Sequence, residues 1–222
     1  MKYEWDFGFV LKFQDVLWQG FLGTLKIGVL ALAFGSLVGL FLALMRMSRR
    51  RALSLPATGL IEFLRMTPLM IQLFWIYFAL PILIGLKLDA FAAAVITLSV
   101  QSGAFFAEVF RGGVQSIDRS QWEGGKALGM TMPQLMRRII LPQAIRRMIP
   151  PFMERSFELM KGTTQAATIA YGELLYQSMV LSSRLYRPVE ILTCVALLYL
   201  VMLTMASLAM RYVEHRLEAA RS

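Results

Sequence analysis

The chain has 222 residues, 57% of them hydrophobic, and its mean hydropathy is +0.59. This composition is too apolar for an ordinary soluble domain and predicts an integral membrane protein. The formal charge of +9 does not indicate nucleic-acid binding, because the arginines lie beside apolar runs, where the positive-inside rule accounts for them. One cysteine and one histidine exclude an internal disulfide and a cysteine-based metal site, and they leave little material for histidine catalysis. We therefore expect no nucleic-acid partner, no bound metal and no catalytic residue.

Five membrane spans are predicted from runs near the ~20 residues that a helix needs to cross a bilayer. They comprise about residues 16–45, 64–86, 90–111, 146–168 and 188–212. The fourth contains a charged segment, defined here as Glu154, Arg155, Glu158 and Lys161, which hydropathy alone does not show as a span. The positive-inside rule places the basic clusters after spans one, three and five on the cytoplasmic side. A fourth span between spans three and five is required for all three clusters to lie on that side. The sequence thus predicts one all-α membrane domain over residues 1–222, with the N-terminus outside and the C-terminus inside.

Small residues and a proline mark special positions in the first two spans. Gly35 and Gly39 have the G-x-x-x-G spacing that permits close helix approach, and packing within the chain is favoured over a dimer interface. Pro68 is expected to interrupt the second span near its cytoplasmic end, either as a simple packing kink or beside a cavity. At the end of span three, Glu108 and Arg111 are predicted either to lie at the inner mouth of a path or to pair within their helix.

A basic segment with several glycines, about residues 116–142, separates spans three and four and is called here the polar module. Ser120 lies three residues before Glu123, which is the spacing of a capping box and predicts that a helix begins there. Gly129 suits the left-handed position that ends such a helix.

The same signal recurs directly afterwards. Thr131 precedes Gln134 by three residues, with Pro133 in the first turn. Apolar residues then recur at helical spacing until Pro142, which is expected to disturb the helix. The polar module is therefore predicted to be two short helices joined by a tight turn on the cytoplasmic side.

The polar module also follows a known pattern. The spacing E-A-A-x3-G-x9-I-x-L-P is reproduced, with glycines replacing both alanines, by Glu123, Gly124, Gly125, Gly129, Ile139, Leu141 and Pro142. It resembles the cytoplasmic loop of permease subunits in ATP-binding-cassette (ABC) importers. The stretches "FLRMTPLMIQLFWIYFALP", "SGAFFAEVFRGGVQSIDRSQWE" and "LPQAIRRMIPPF" resemble the polar amino-acid subfamily, which includes permeases for His, Glu, Gln, Arg, cystine and opines. The resemblance covers nearly the whole chain.

The resemblance implies a type I importer permease fold in a bacterial cytoplasmic (inner) membrane. It implies three kinds of partner: an ABC ATPase dimer, a second permease subunit that is identical or paralogous, and an extracytoplasmic solute-binding protein. ATP and Mg²⁺ would bind to the ATPase, since the chain has no G-x-x-x-x-G-K-[ST] loop and needs no cofactor of its own. The residues implied in coupling to the ATPase are Ser120, Glu123, Gly124, Gly125, Ala127, Leu128, Gly129, Ile139, Leu141 and Pro142. The capping role of Glu123 and a direct contact with the ATPase are equally open and compatible.

The charged segment is the candidate for the substrate path. Glu154, Glu158 and Lys161 share one helix face by their spacing, with Arg155 turned away from it. Ionisable groups at membrane depth are costly and usually face a protein interior or a water-filled path, and a zwitterionic amino acid needs such groups. The alternatives are that Glu158 simply pairs with Lys161 and that Glu154 lies in interfacial water. The full set of candidate path residues is Glu154, Glu158, Lys161, Thr163, Thr164 and Gln101. Close relatives often have K-D-T-S-L where this chain has "KGTTQ", so its specificity does not carry over.

Two classes of transport protein fit these patterns. The first is the membrane-spanning subunit of an ATP-driven importer for a polar amino acid or a related small zwitterion. The second is a stand-alone channel or ion-coupled carrier, in which the charged segment would bind ions. The second class gives no account of the polar module, and its flux would not require ATP.

Overall fold

The computed structural model describes residues 5–85 and 87–219, and every regular element within those residues is helical. The elements are α1 (Gly8–Lys12), α2 (Gln14–Arg46), α3 (Arg51–Met66), α4 (Leu69–Phe74), a π-helical turn (Trp75–Ala79), α5 (Leu80–Ile84), α6 (Ala90–Gln115), α7 (Arg119–Ala127), α8 (Met132–Leu135), a second π-helical turn (Met136–Ile140), α9 (Leu141–Gly162), a 3-10 helix (Thr163–Ile169), α10 (Leu174–Leu185) and α11 (Pro188–Ala219). The predicted all-α class is confirmed.

By length and composition, three helices of the described residues can each cross a membrane. They are Gln14–Arg46, Ala90–Gln115 and the part of α11 over Pro188–Leu208. A fourth candidate is the pair Arg51–Met66 and Leu69–Ile84, which is bent by 106°. α9 is not among these candidates, as its charged segment leads us to expect.

The bend lies at Pro68, where the sequence predicts an interruption. Thr67 and Pro68 are extended, with ψ of 132° and 136°, so the helix ends at Met66 and a new one starts at Leu69. α3 was not predicted, because the second span was expected to begin only at about residue 64. Its signal is a short amphipathic pattern, because the buried residues of α3 are Ala57, Ile61 and Leu64, three to four positions apart.

α2 and α6 form the centre of the molecule, and glycines bring their backbones together. A Cβ atom placed on Gly39 would lie 2.8 Å from the carbonyl oxygen of Gly103, and one on Gly103 would lie 2.7 Å from a methyl group of Val38. The Gly35/Gly39 motif therefore packs α2 against α6 within the chain, as predicted. Around it lies an apolar core that includes Ile27, Leu98 and Phe106.

Two prolines are built into continuous helices by wide turns. The expected disturbance at Pro142 does not end the second helix of the polar module, because α8, the π-helical turn and α9 form one helix from Met132 to Gly162. The Leu141 N–H donates to the carbonyl of Met136, five residues earlier. In this wider turn the ring of Pro142 is accommodated, and its missing N–H does not break a regular hydrogen bond to the fourth residue before it. Pro81 follows the first π-helical turn in the same way.

A buried carboxylate fastens α10 to the rest of the molecule. The Glu173 side chain is fully buried and accepts hydrogen bonds from the N–H groups of Leu175 (2.9 Å) and Tyr176 (2.7 Å) and from the hydroxyl of Tyr199 (2.9 Å). The first turn of α10 is thus capped, and it is joined to α11 through Tyr199. The cap is local to α10, but the contact with Tyr199 joins residues 26 positions apart and could not be predicted from spacing.

Candidate functional site

The first helix of the polar module begins two residues earlier than a cap at Ser120 predicts. α7 starts at Arg119, with Asp118 in the N-cap position and no side chain accepting from its first turn. The predicted capping box of Ser120 and Glu123 is therefore wrong. Asp118 does not cap either, because its carboxylate faces Arg147 of α9 at 3.5 Å. The first turn of α7 therefore has no side-chain cap from Asp118.

The end of α7 confirms the prediction for Gly129. Its φ is +73°, in the left-handed region, and its N–H donates to the carbonyl of Lys126 at 2.9 Å. The next N–H, of Met130, donates to the carbonyl of Gly125 at 3.1 Å. Together these bonds form a Schellman motif, which turns the chain sharply after the helix. The turn leaves Leu128 80% exposed at the tip of the polar module.

The two glycines that replace the family's alanines have different surroundings. A Cβ atom on Gly125 would lie 2.3 Å from Cδ1 of Leu135, whereas one on Gly124 would meet nothing within 4 Å. Leu135 is buried in an apolar cluster with Ile117 and Ile140. Gly125 therefore permits the close packing of the two helices, whereas Gly124 lies in open space and is not needed for that packing.

The second helix of the polar module starts as predicted. The Thr131 N–H donates to Oε1 of Gln134 at 2.9 Å, and Pro133 lies in the first turn. The outer side of the polar module is open, since Glu123, Lys126 and Leu128 are exposed. Glu123 forms no ion pair within the described residues. The polar module is thus a rigid projection whose exposed tip has no partner within the described chain.

The carbonyl groups freed at Pro68 are satisfied by two glutamine side chains. Nε2 of Gln72 donates to the carbonyls of Leu64 (2.8 Å) and Thr67 (3.1 Å). Nε2 of Gln101, a candidate path residue, donates to the same Thr67 carbonyl at 3.4 Å. The interruption therefore lies beside another helix, α6, which supplies one of the two donors.

The charged segment is arranged differently from the sequence prediction. Arg155 is not turned away, because its guanidinium pairs with Glu158 and lies over the ring of Phe105, 4.9 Å from the centroid. The alternative pairing of Glu158 with Lys161 is not formed, and Lys161 is exposed. The prediction failed because Arg155 and Glu158, three positions apart, are also neighbours on a helix surface.

Two cavities meet at Phe105 and Arg155. The first is lined by Leu69, Gln101, Ser102, Glu158 and Gly162, and its volume of about 60 Å³ admits only water-sized molecules. The second is lined by Arg65, Glu108, Gly112, Arg147 and Glu154, and its volume of about 440 Å³ is in the range of pockets that hold small ligands. Glu154 therefore faces the second cavity and Glu158 the first.

The two threonines after the charged segment do not line these cavities. Thr163 is fully buried, and its hydroxyl donates to the carbonyl of Met160 at 2.7 Å. The Thr164 hydroxyl donates to the carbonyl of Lys161 at 2.8 Å. Both side chains thus satisfy backbone groups of their own turn. Their role in a path stays a prediction.

An ion-pair network joins α2, α3 and α6 at one side of the second cavity. Glu108 pairs with Arg111 (2.7 Å), so the intrahelical alternative is confirmed, and it also pairs with Arg46 of α2. Arg46 reaches Glu62 of α3 at 3.3 Å, and Glu62 lies 3.6 Å from Arg65. Spacing predicts only the pairs within one helix, so the contacts of Arg46 with Glu62 and Glu108 could not be predicted from it.

The family of the chain follows from comparison with known proteins. A family described as "Binding-protein-dependent transport system inner membrane component" matches residues 35–219. The chain belongs to this family. Among relatives of the permease, the probable glutamine ABC transporter permease protein GlnM of Bacillus subtilis (strain 168) is 38% identical over 200 residues, which is 90% of this chain and 92% of that protein. The glutamine transport system permease protein GlnP of Escherichia coli (strain K12) is 35% identical over 219 residues, 98% of this chain and 99% of the other.

Solved structures agree with this assignment. The permease matches a crystal structure of an amino acid ABC transporter with histidines at a TM-score of 0.91 and 34% identity, covering 96% of this chain and 100% of the other. The MetNI methionine ABC transporter in an inward-facing conformation matches at a TM-score of 0.79 and 18% identity, covering 93% and 98%, which shows a common fold. The resemblance to importer permeases and the type I importer permease fold are thereby confirmed.

Proposed function

We propose that the permease is the membrane-spanning subunit of an ATP-driven importer that carries a polar amino acid or a related small zwitterion. The observation that carries this proposal is the Arg155–Glu158 pair at the junction of two cavities. Relatives that are named as glutamine permeases and the similarity to an amino acid ABC transporter support the same class of solute.

The chemistry of the Arg155–Glu158 pair fits a zwitterion. A solute carboxylate replaces Glu158 on the guanidinium, and the solute ammonium group pairs with the released carboxylate. Neither charge is left unpaired during this exchange, which avoids the cost of an isolated charge at membrane depth. Phe105 holds the guanidinium plane in place, and Gln101 and Glu154 extend the polar lining on either side. Lys161 is exposed in this single chain and faces neither cavity.

The polar module supplies the coupling to ATP hydrolysis. Its tip exposes Leu128 and Glu123, while its underside is fixed by packing around Leu135. We assign this tip to a groove on a separate ABC ATPase, which binds ATP and Mg²⁺ and performs the catalysis. The solute arrives on an extracytoplasmic binding protein, the complex lies in a bacterial inner membrane, and a second permease subunit, identical or paralogous, completes the path.

The test is isolation of the permease from native membranes in mild detergent, followed by identification of the co-purifying proteins and reconstitution. We expect an ABC ATPase and a solute-binding protein to co-purify, and uptake of an amino acid to require ATP. A second, different permease among them would identify a heterodimer. Uptake by the permease alone, without ATP, would contradict the proposal and favour the channel or carrier.

A further inference from the structure

A basic cluster at the turn between α2 and α3 has no partner in the part of the chain that the structure describes. Arg49, Arg50 and Arg51 are exposed, and none of them is in an ion pair there. Arg46, three residues earlier, is different because Glu62 and Glu108 neutralise it. Three adjacent guanidinium groups thus remain free for an external anion.

α3 presents an apolar surface beside this cluster. Leu55, Phe63 and Met66 are exposed and lie on the side of the helix turned away from Ala57, Ile61 and Leu64, through which α3 packs on α2 and α6. α3 has 16 residues, so it is about 24 Å long, shorter than the ~30 Å hydrocarbon core. Its 106° bend from the following helix prevents the two from forming one straight crossing. These properties are those of a helix lying at a membrane surface.

The only acidic residue of α3 is held in ion pairs. Glu62 contacts Arg46 at 3.3 Å and Arg65 at 3.6 Å, so it adds no free negative charge beside the cluster. The outer surface of α3 and the preceding turn therefore combine three unpaired positive charges with exposed apolar side chains. That combination complements an anionic phospholipid, which has a phosphate headgroup and acyl chains.

We propose that Arg49, Arg50, Arg51 and the outer face of α3 form a binding surface for anionic phospholipids of the same membrane. The headgroup phosphate binds the guanidinium groups, and an acyl chain lies along Leu55 and Phe63. Since Arg65 at the other end of α3 lines the second cavity, the bound lipid also fixes that part of the site. Only this last consequence rests on the proposed function.

The test compares lipid binding by two variants of the purified complex, reconstituted in phosphatidylcholine with an increasing fraction of phosphatidylglycerol. The first variant is Arg49→Gln/Arg50→Gln/Arg51→Gln. The matched control is Lys12→Gln/Lys87→Gln/Arg184→Gln, which removes the same charge from three other exposed positions. The number of phosphatidylglycerol molecules that stay with the protein on re-extraction is counted against phosphatidylcholine. This count needs no ATP and no amino acid, so it does not depend on the proposed function.

We expect the preference for phosphatidylglycerol to fall about fivefold for each arginine removed, and to stay unchanged in the control. Equal losses in both triple variants, or no preference in the unmodified complex, overturn the proposal. The latter result is also expected if a protein subunit covers α3.

A second measurement uses the unmodified complex, because removal of three positive charges also weakens the signal that orients the chain during insertion. We expect rising salt to weaken the retention of phosphatidylglycerol. We expect inorganic phosphate to compete no better than chloride at equal ionic strength, since it lacks acyl chains. Retention that resists salt, or specific displacement by free phosphate, contradicts a phospholipid site.

Discussion

The polar module and the charged segment of α9 are both polar regions of an apolar chain, yet they are built in different ways. The turn of the polar module is held by backbone hydrogen bonds between neighbours, as in the Schellman motif at Gly129. The charged segment is organised by tertiary contacts, since Arg155 is positioned by Phe105 of another helix. Local order can be read from spacing, whereas order between helices depends on which faces meet.

The largest effect should come from the charged segment, which depends on tertiary contacts. We expect Arg155→Leu to lower amino-acid uptake by about 30- to 100-fold, the value of a charge-assisted hydrogen bond to a carboxylate, with little change in ATP hydrolysis. Lys161→Leu is the matched control and should have a much smaller effect, because Lys161 is exposed and lines neither cavity. Transport assays in proteoliposomes measure both variants, and equal losses would remove Arg155 from the path.

The polar module, which depends on local hydrogen bonds, is tested at the left-handed residue Gly129. Gly129→Val should destabilise the polar module by about 1–2 kcal/mol, because a β-branched residue is strained at a φ of +73°. We expect normal insertion but impaired coupling, seen as ATP hydrolysis with little uptake. Gly129→Asn should retain coupling, since asparagine tolerates this conformation. A valine variant that transports normally would show that the turn is not needed.

A third experiment separates path residues from residues that only support the bend. Gln72→Leu leaves the Leu64 carbonyl without its side-chain donor and the Thr67 carbonyl with only the longer contact from Gln101, and it should lower the free energy of unfolding by about 1–3 kcal/mol. Gln101→Leu removes only the 3.4 Å contact with Thr67 and should cost less. Thermal unfolding in detergent measures both. If Gln101→Leu reduces uptake while stability is kept, Gln101 acts in the path as well as at the bend.

The smallest effect is expected from restoring the family's alanines one at a time. Gly124→Ala should stabilise the polar module by about 0.5–1 kcal/mol, since the site is open and alanine favours the helix. Gly125→Ala should gain less or lose stability, because its Cβ atom would lie 2.3 Å from Leu135 unless that side chain moves. Equal stabilisation by both changes would show that Leu135 repacks freely.

Much of the fold could be predicted because its determinants are local. The apolar runs gave α2, α6 and α11, and the turn at Gly129 and the interruption at Pro68 followed from single residues. The start of α7 was not predicted correctly, because the capping pattern of Ser120 and Glu123 is present in the sequence but the helix begins at Arg119 without a side-chain cap. For the charged segment, the sequence predicted which residues belong to the site but not which of them form the ion pair. Helical spacing allows Glu158 to meet either Arg155 or Lys161, and only the position of Phe105 decides between them.

The unbroken helix from Met132 to Gly162 has a mechanical consequence. It is about 46 Å long and carries the base of the polar module at one end and the charged segment near the other. Because both ends belong to one helix, the rotation of the charged segment about the helix axis relative to the polar module is set by the number of residues between them. One residue more or less rotates one end by about 100° relative to the other. Two places along the rod already depart from regular hydrogen bonding, the π-helical turn at Met136–Ile140 and the Pro150–Pro151 pair, and we expect a change of this rotation to be taken up there.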